Sequence, residues 1–490
     1  MKIVKGANAP KIPVFWAKDA KGNLTIRHYE LKVALEMMGV ANMELSNGNT
    51  CLVYTKNNRV RRITQDDVDR LIISYLEENG EMEVLEKYLK GITTYASSRK
   101  LSTLKRIPQL TPADDRGVIW FYFQNTAVAV TKTRIEPVPY EDLPHLIWED
   151  EVLPRPFVMR VSRPGQFVKF LENVSGGDPK RNKALRTALG YMLSGYKDPS
   201  ITRAIILQDE VYTPGVANGR TGKSLIAKAL GEMRKSESID GRHYRTSDPF
   251  AHASLELDTR IINFDDVGRK FTLEDIFSML TSGITVNRKF KDAFYIPYER
   301  SPKVLVTSNY PIRGVEGNSG RDRSWFFELA PHYGLSHKPE HEFGNPFFSG
   351  WDDQEWNRFY GFMIYCAHEY LKYGLLAVSN KFLQQNQLAA ETSPEFVDFM
   401  QRELVLGTRM DKRKLEDQFR AEYGFSKKQF SNKSFGMKLR AYARILGYQY
   451  DPASSGGGYF FTISDKNTEN SGQDEPDQRD SLQSDEPDNR

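Results

Sequence analysis

Apolar positions recur at helical spacing over residues 31–38 and Gln65–Glu78, then give way to β-rich runs at 118–123 and Ala127–Thr131. The Gln124-Asn125-Thr126 triplet between those runs predicts a hairpin. Pro154 and Pro156 punctuate the chain, so residues 1–155 are expected to form an N-terminal α+β region. Helical spacing returns in FVKFLENV and NKALRTALGYMLSGY, predicting a helical lead-in over 156–200. The β-rich run at 203–207 opens a central region, 201–345, in which strand-like runs alternate with helical segments, the pattern of an α/β sheet. An aromatic-rich helical extension and connector follow over 346–390, with Trp356, Phe359, Tyr360, Phe362 and Tyr370 expected in the core. Residues 391–464 read as a small α+β domain. No solenoid-length repeat is present.

Composition adds a charge asymmetry to this picture. The chain has 490 residues, 39% hydrophobic and 12% aromatic, with a formal net charge of +4. The segment from 466 to 490 carries eight acids and three bases, which leaves +9 on the rest. A basic body with an acidic tail suits a polyanionic partner, although +9 on so large a body is also ordinary. Residues 465–490 hold Asp-Glu-Pro-Asp twice and cannot bury a core, so a disordered tail that offers a contact to a basic partner is expected. Cys51 and Cys366 lie too far apart in sequence for a framework or a zinc knuckle, which favours a cytoplasmic setting. No run of 18 apolar residues and no signal-type h-region occurs, so no membrane role is expected.

The sharpest chemical signal is Ala217-Asn218-Gly219-Arg220-Thr221-Gly222-Lys223-Ser224, between a strand-like run and a helical segment. Small residues there let backbone N–H groups wrap phosphates at a helix N-terminus. Lys223 would reach the β- and γ-phosphates of ATP and the Ser224 hydroxyl would ligate Mg²⁺. Ala217 stands where a Gly is usual and narrows the loop's backbone freedom. Replacing Lys223 by Ala is expected to end turnover and leave the fold intact. A second β run, from 260, ends in Asp265-Asp266, 41 residues after Ser224. A strand beside the loop strand would let Asp265 hold the Mg²⁺ shell and Asp266 activate water; a surface Asp-Asp turn is the alternative. A third run, from 303, ends in Asn309, placed to meet a γ-phosphate or water, or simply to start a turn. Arg321 and Arg323 follow, either as an arginine finger or as a surface Arg/Asp pair. Arg323 directly precedes a β run and is the favoured finger. Arg321 is assigned to the Gly-rich loop at 314–320.

Together these motifs, with the TSGITVNRKFKD segment between the acid pair and the third strand, resemble a superfamily 3 helicase. They are most similar to the ATPase part of phage, plasmid and poxvirus-type primase-helicases. The resemblance covers residues 115–375. It implies an AAA+-like hexameric ring, ATP with Mg²⁺, a finger acting in trans, and 3′→5′ tracking on single-stranded DNA. It also implies a DNA-gripping hairpin, here 285–298, with Arg288, Lys289, Phe290 and Lys291 near its tip. The basic residues suit phosphates and Phe290 suits stacking; a solvated basic turn is the alternative.

In the C-terminal domain, Phe435, Leu439, Ala443 and Leu446 share a helical face, and Gly447 takes the position after the helix end. Lys438, Arg440 and Arg444 lie on other faces, with Lys427, Lys428 and Lys433 upstream. A Gly-tipped hairpin follows, so the domain reads as a winged helix with a DNA-binding or a protein-binding use. No strand-borne acid pair marks residues 1–150 as a polymerase, so a separate primase or polymerase partner is expected. Asp66, Asp67 and Asp69 read instead as a helix start. The expected fold class is an α/β P-loop NTPase core, AAA+-like, with an α+β N-terminal region, helical flanks and a C-terminal winged helix. The expected function is an ATP-dependent DNA helicase for replication of a phage, plasmid or other mobile element. A nucleotide-switched initiator platform and a non-unwinding AAA+ DNA translocase are the alternatives.

Overall fold

Five apolar runs of the central region form one parallel sheet in the computed structural model. They are β1 (Ala204–Asp209), β2 (Ser236–Asp240), β3 (Ile261–Val267), β4 (Lys303–Ser308) and β5 (Ser324–Leu329), in spatial order β2-β3-β4-β1-β5. The structure describes residues 11–45, 49–111, 113–159, 163–211, 219–313, 317–380, 382–426 and 430–465. Every residue of β1, β4 and β5 is buried, as expected for parallel strands covered on both faces. The two-residue period of a strand then divides them. Ile205, Leu207, Leu305, Trp325 and Phe327 enter one core, and Ala204, Ile206, Val304, Val306 and Phe326 the other.

The first core is closed by α1 (Gln166–Val174), α2 (Pro179–Leu193), α3 (Lys223–Gly231) and the long α5 (Asp353–Tyr373). A shorter helix, α4 (Gly317–Arg323), precedes β5. Helices α2 and α5 approach closely at Gly190, where a Cβ would come within 2.1 Å of the Cys366 carbonyl oxygen; no other residue fits. Trp356, Phe359 and Tyr360 are buried in this core, and Phe362 and Tyr370 pack against it. Both cysteines are free.

The strands Val118–Tyr122, Ala127–Thr131 and Ile135–Val138 form an antiparallel sheet. Ile119, Phe121, Val128 and Val130 from this sheet also belong to the first core. Its other face, Trp120, Tyr122, Ala127 and Ala129, packs with Tyr140, Leu143 and Ile147, so the sheet belongs by packing to both neighbours. The remaining N-terminal residues build their own core around a five-stranded sheet and the helices His28–Met38, Gln65–Glu78 and Met82–Lys90. Asp66 and Asp67 do open a helix: Thr64 and Asp67 make a reciprocal capping box, while Asp69 accepts from the Tyr88 hydroxyl at 2.5 Å.

The C-terminal domain runs helix (Pro394–Glu403), strand (Met410–Asp411), helix (Lys412–Tyr423), α6 (Asn432–Leu446), then the hairpin Tyr448–Ser455 and Gly458–Asp465. Gly456 and Gly457, both at positive φ, form the two-residue hairpin turn. Phe435, Leu439 and Ala443 are buried and Gly447 caps α6 in the left-handed conformation. Among the described residues, no helix is long and apolar enough to cross a membrane. Lys427, Lys428 and the acidic tail lie outside the described residues.

Candidate functional site

The strand order puts the carboxyl ends of β1, β3 and β4 side by side, the location where parallel sheets open a crevice. A cleft of about 420 Å³ lies there, lined by Gly219, Arg220, Gly222, Lys223, Ser224, Asp265, Asp266, Thr307 and Asn309. Lys338, Pro339 and Glu340 close its other side. Three sequence segments nominated separately thus meet at one cavity. Ala217 and Asn218 lie outside the described residues. Gly222 sits at φ 110°, which favours glycine, and a Cβ there would come within 2.6 Å of the Phe170 ring. Helix α3 starts at the next residue, which sets its N-terminus beside the loop that lines the cleft.

Lys223 is buried, and its Nζ donates to Asp209 Oδ1 at 2.5 Å. Thr221 Oγ1 donates to the same oxygen at 2.5 Å, and Asp209 Oδ2 has no partner. The sequence reading overlooked Asp209. Its signal was a carboxylate closing the β1 run, directly before the loop. The pairing also revises the expectation that Lys223→Ala leaves the fold untouched, because it would strand a buried carboxylate.

The acid pair sits on a bulge. Phe264 pairs with Val306 and Val267 with Ser308, so Asp265 and Asp266 together oppose Thr307. Asp266 takes φ 50°, a left-handed value that Asp tolerates better than most residues. The bulge gives the two carboxylates different surroundings. Thr307 Oγ1 donates to Asp265 Oδ1 at 2.8 Å, and the Asp266 N–H donates to Thr307 Oγ1 at 2.8 Å. Asp266 Oδ1 accepts from Asn309 Nδ2 at 2.7 Å, and Oδ2 pairs with Arg242. Asn309 Oδ1 is buried without a partner, near Gly219. Thr307 and Arg242 were not singled out from sequence; Thr307 was visible as the Thr of the Thr-Ser-Asn strand end, whereas nothing local marked Arg242.

The arginines differ from expectation. Arg321 is on α4 rather than in a loop, and it is exposed. Arg323, the last residue of α4, donates to Ser319 and lies over the Phe277 ring at 4.8 Å. Arg323 thus contacts its own helix and Phe277, directly ahead of β5, an edge strand of the sheet.

The hairpin Ile284–Arg288 and Lys291–Ile296 carries Lys289 and Phe290 at its tip, with Phe290 fully exposed at φ 60°. Arg288 is not part of this free tip. Its guanidinium donates to the carbonyls of Ala253 (3.0 Å) and Leu255 (2.5 Å), tying the strand end beside the tip to that segment. Lys291 opens the second strand. In the C-terminal domain, Arg440 is exposed, while Arg444 pairs with Glu391. Lys438 packs over Phe396 and Phe430, and burial holds its ammonium pKa below the usual lysine range. Packing has therefore drawn Arg288, Lys438 and Arg444 into contacts within the chain, which helical-face and turn patterns could not foresee.

The donor set suits a hard divalent cation: an exposed Ser224 hydroxyl and the Asp265 carboxylate are oxygen ligands of the kind Mg²⁺ takes. No family model matches the chain, and no curated protein matches it. Among solved structures, it is similar to the apo structure of the NrS-1 C-terminal region, residues 305–718, at TM-score 0.43 and 13% identity, over 88% of this chain and 98% of that one. The A form of the same region aligns at TM-score 0.42 and 12% identity, over 89% and 98%. A likeness this distant carries no functional argument.

Proposed function

We propose that this chain is an ATP-hydrolysing motor that moves along single-stranded DNA, a helicase of the superfamily 3 type. One observation carries the reading: Lys223, Ser224, Asp265, Asp266 and Asn309 converge on one cleft at the carboxyl ends of β1, β3 and β4. On this reading the sheet is a P-loop NTPase core of AAA+-like kind and the C-terminal domain is a winged helix. Lys223 exchanges Asp209 for the β- and γ-phosphates, and the α3 N-terminus supports their charge. Ser224 and Asp265 would hold Mg²⁺, which would supply positive charge against the phosphates. Asp266 accepts the proton of the attacking water. The unpartnered Asn309 Oδ1 is an acceptor that orients it, while Asn309 Nδ2 fixes the Asp266 carboxylate. The exposed Lys289-Phe290 tip suits a backbone phosphate and a base face.

Subunits would assemble as a ring, a hexamer in the resembled family, with Arg321 now favoured over Arg323 as the finger because it is exposed and on a helix. Replication of a phage, plasmid or other mobile element in a host cytoplasm, with priming by a separate protein, is the setting proposed. Forked DNA with either a 3′ or a 5′ single-stranded tail provides the test. Strand displacement that needs ATP and disappears in Asp266→Asn is the expected result. DNA binding without displacement would favour the initiator platform. ATP-driven translocation without displacement would favour the translocase. Absence of ATP turnover would refute the reading of the cleft.

A further inference from the structure

We propose that His332, His337 and Glu342 form a binding site for a divalent transition metal of the zinc type. The inference is independent of what the neighbouring cleft binds. Three of the chain's eight histidines fall between 332 and 341. The structure brings one ligand atom each from His332, His337 and Glu342 within 4.8 Å of one another. Glu342 Oε2 lies 3.2 Å from His332 Nε2 and 3.6 Å from His337 Nε2. Tetrahedral zinc with bonds of ~2.0–2.1 Å separates its ligands by roughly 3.3 Å, so two of the three edges already have zinc dimensions. Two imidazoles and one carboxylate are also a donor set that zinc uses, and exposure leaves solvent room for a fourth, water ligand.

The carboxylate is held in place from behind. Tyr333 Oη donates to Glu342 Oε2 at 2.8 Å, and Asn173 Nδ2 donates to Oε1 at 2.9 Å. Such outer hydrogen bonds orient metal-binding carboxylates.

The location gives the metal a role. Lys338, Pro339 and Glu340, which line the cleft, lie between His337 and Glu342 in the chain. Tyr333 stacks on Phe170 (5.5 Å, 21°), whose ring lies against Gly222. A bound ion therefore staples the 338–340 wall and braces the floor under the glycine loop.

Full-length protein stripped with chelator and titrated with Co²⁺ alone tests the site. The expected result is a saturable visible d–d absorption of tetrahedral intensity at one equivalent per chain, displaced by Zn²⁺. The His332→Gln/His337→Gln variant should lose this signal, yet keep wild-type hydrogen exchange across the central sheet without metal, since both residues are exposed. Asn173→Ala should weaken binding by about 10–100-fold, as loss of outer hydrogen bonds does at other metal sites. No saturable signal, or one unchanged in the double variant, would overturn the proposal.

Discussion

Lys223→Ala separates what the cleft does for catalysis from what it does for the fold. Lys223 and Asp209 side chains are 8% and 7% exposed, with Nζ and Oδ1 2.5 Å apart. At an effective dielectric of ~20 the gross attraction is roughly 7 kcal/mol, most of it offset by the cost of taking both charges out of water. Removing one partner alone leaves that cost uncompensated, which typically destabilises by about 3–5 kcal/mol. Thr221 continues to donate to Asp209 Oδ1, so the low end, about 3 kcal/mol, is expected here. Several cores make a single global transition a poor measure, so the readout is hydrogen exchange at β1 and α3 amides without nucleotide. A loss of 3 kcal/mol speeds opening by on the order of 100-fold. Adding Asp209→Asn removes the stranded charge and should restore most of the protection, while turnover stays absent in both variants. Exchange in Lys223→Ala within about tenfold of wild type, a difference of 1.4 kcal/mol, would refute the argument. So would a double variant no better protected than the single one.

The bulge predicts different phenotypes for its two acids. Asp266→Asn should keep nucleotide binding and lose hydrolysis, whereas Asp265→Asn should weaken Mg²⁺-dependent binding first; calorimetric titration with ATP and Mg²⁺ that finds the reverse exchanges their roles. At the hairpin, Lys289→Ala should lower the log–log salt slope of single-strand binding by about 0.7, and Phe290→Ala should weaken binding without changing the slope. An unchanged slope in Lys289→Ala means the tip does not touch phosphate. For the finger, Arg321→Ala should cost about 10³–10⁵ in turnover, and mixed rings with Asp266→Asn subunits should recover part of it. Recovery with Arg323→Ala and not with Arg321→Ala would return the role to Arg323.

What was legible in the sequence was chiefly what a short window contains. The glycine-containing loop at 219–222, the two strand-end motifs and the helix N-terminus at residue 223 are each written in consecutive residues, and the strands' burial follows from unbroken apolar runs. The sheet order was not written there, and neither were the partners it brings together. Asp209 and Lys223 are 14 residues apart, Arg242 and Asp266 are 24, and Asn173 and Glu342 are 169. The same limit explains Arg288, Lys438 and Arg444. Each has the residue type and spacing of a nucleic-acid contact, but a backbone segment, an aromatic pair or a neighbouring helix reaches it first. The proline pair is a related case: it marks a local turn, and which cores a hairpin joins is decided by its two buried faces.

The partners that escaped the sequence also say how the cleft would be switched. Lys223 is engaged by Asp209, Asp265 by Thr307, and Asp266 by Arg242 and Asn309. Of the three acids, Asp265 is the one whose partner is neutral, and its carboxylate lines the cleft with the Ser224 hydroxyl, an oxygen donor pair of the kind a hard divalent cation takes. ATP arriving with Mg²⁺ would therefore replace in-chain partners rather than fill a cavity of free groups. Lys223 would turn from a buried carboxylate to phosphate, and Asp266 would need Arg242 to withdraw before it could take a proton. Because Arg242 is exposed, the contact that frees Asp266 can come from outside this chain, from nucleotide or a neighbouring subunit. Hydrolysis in the proposed ring would then depend on subunit contact through the base as well as through the finger.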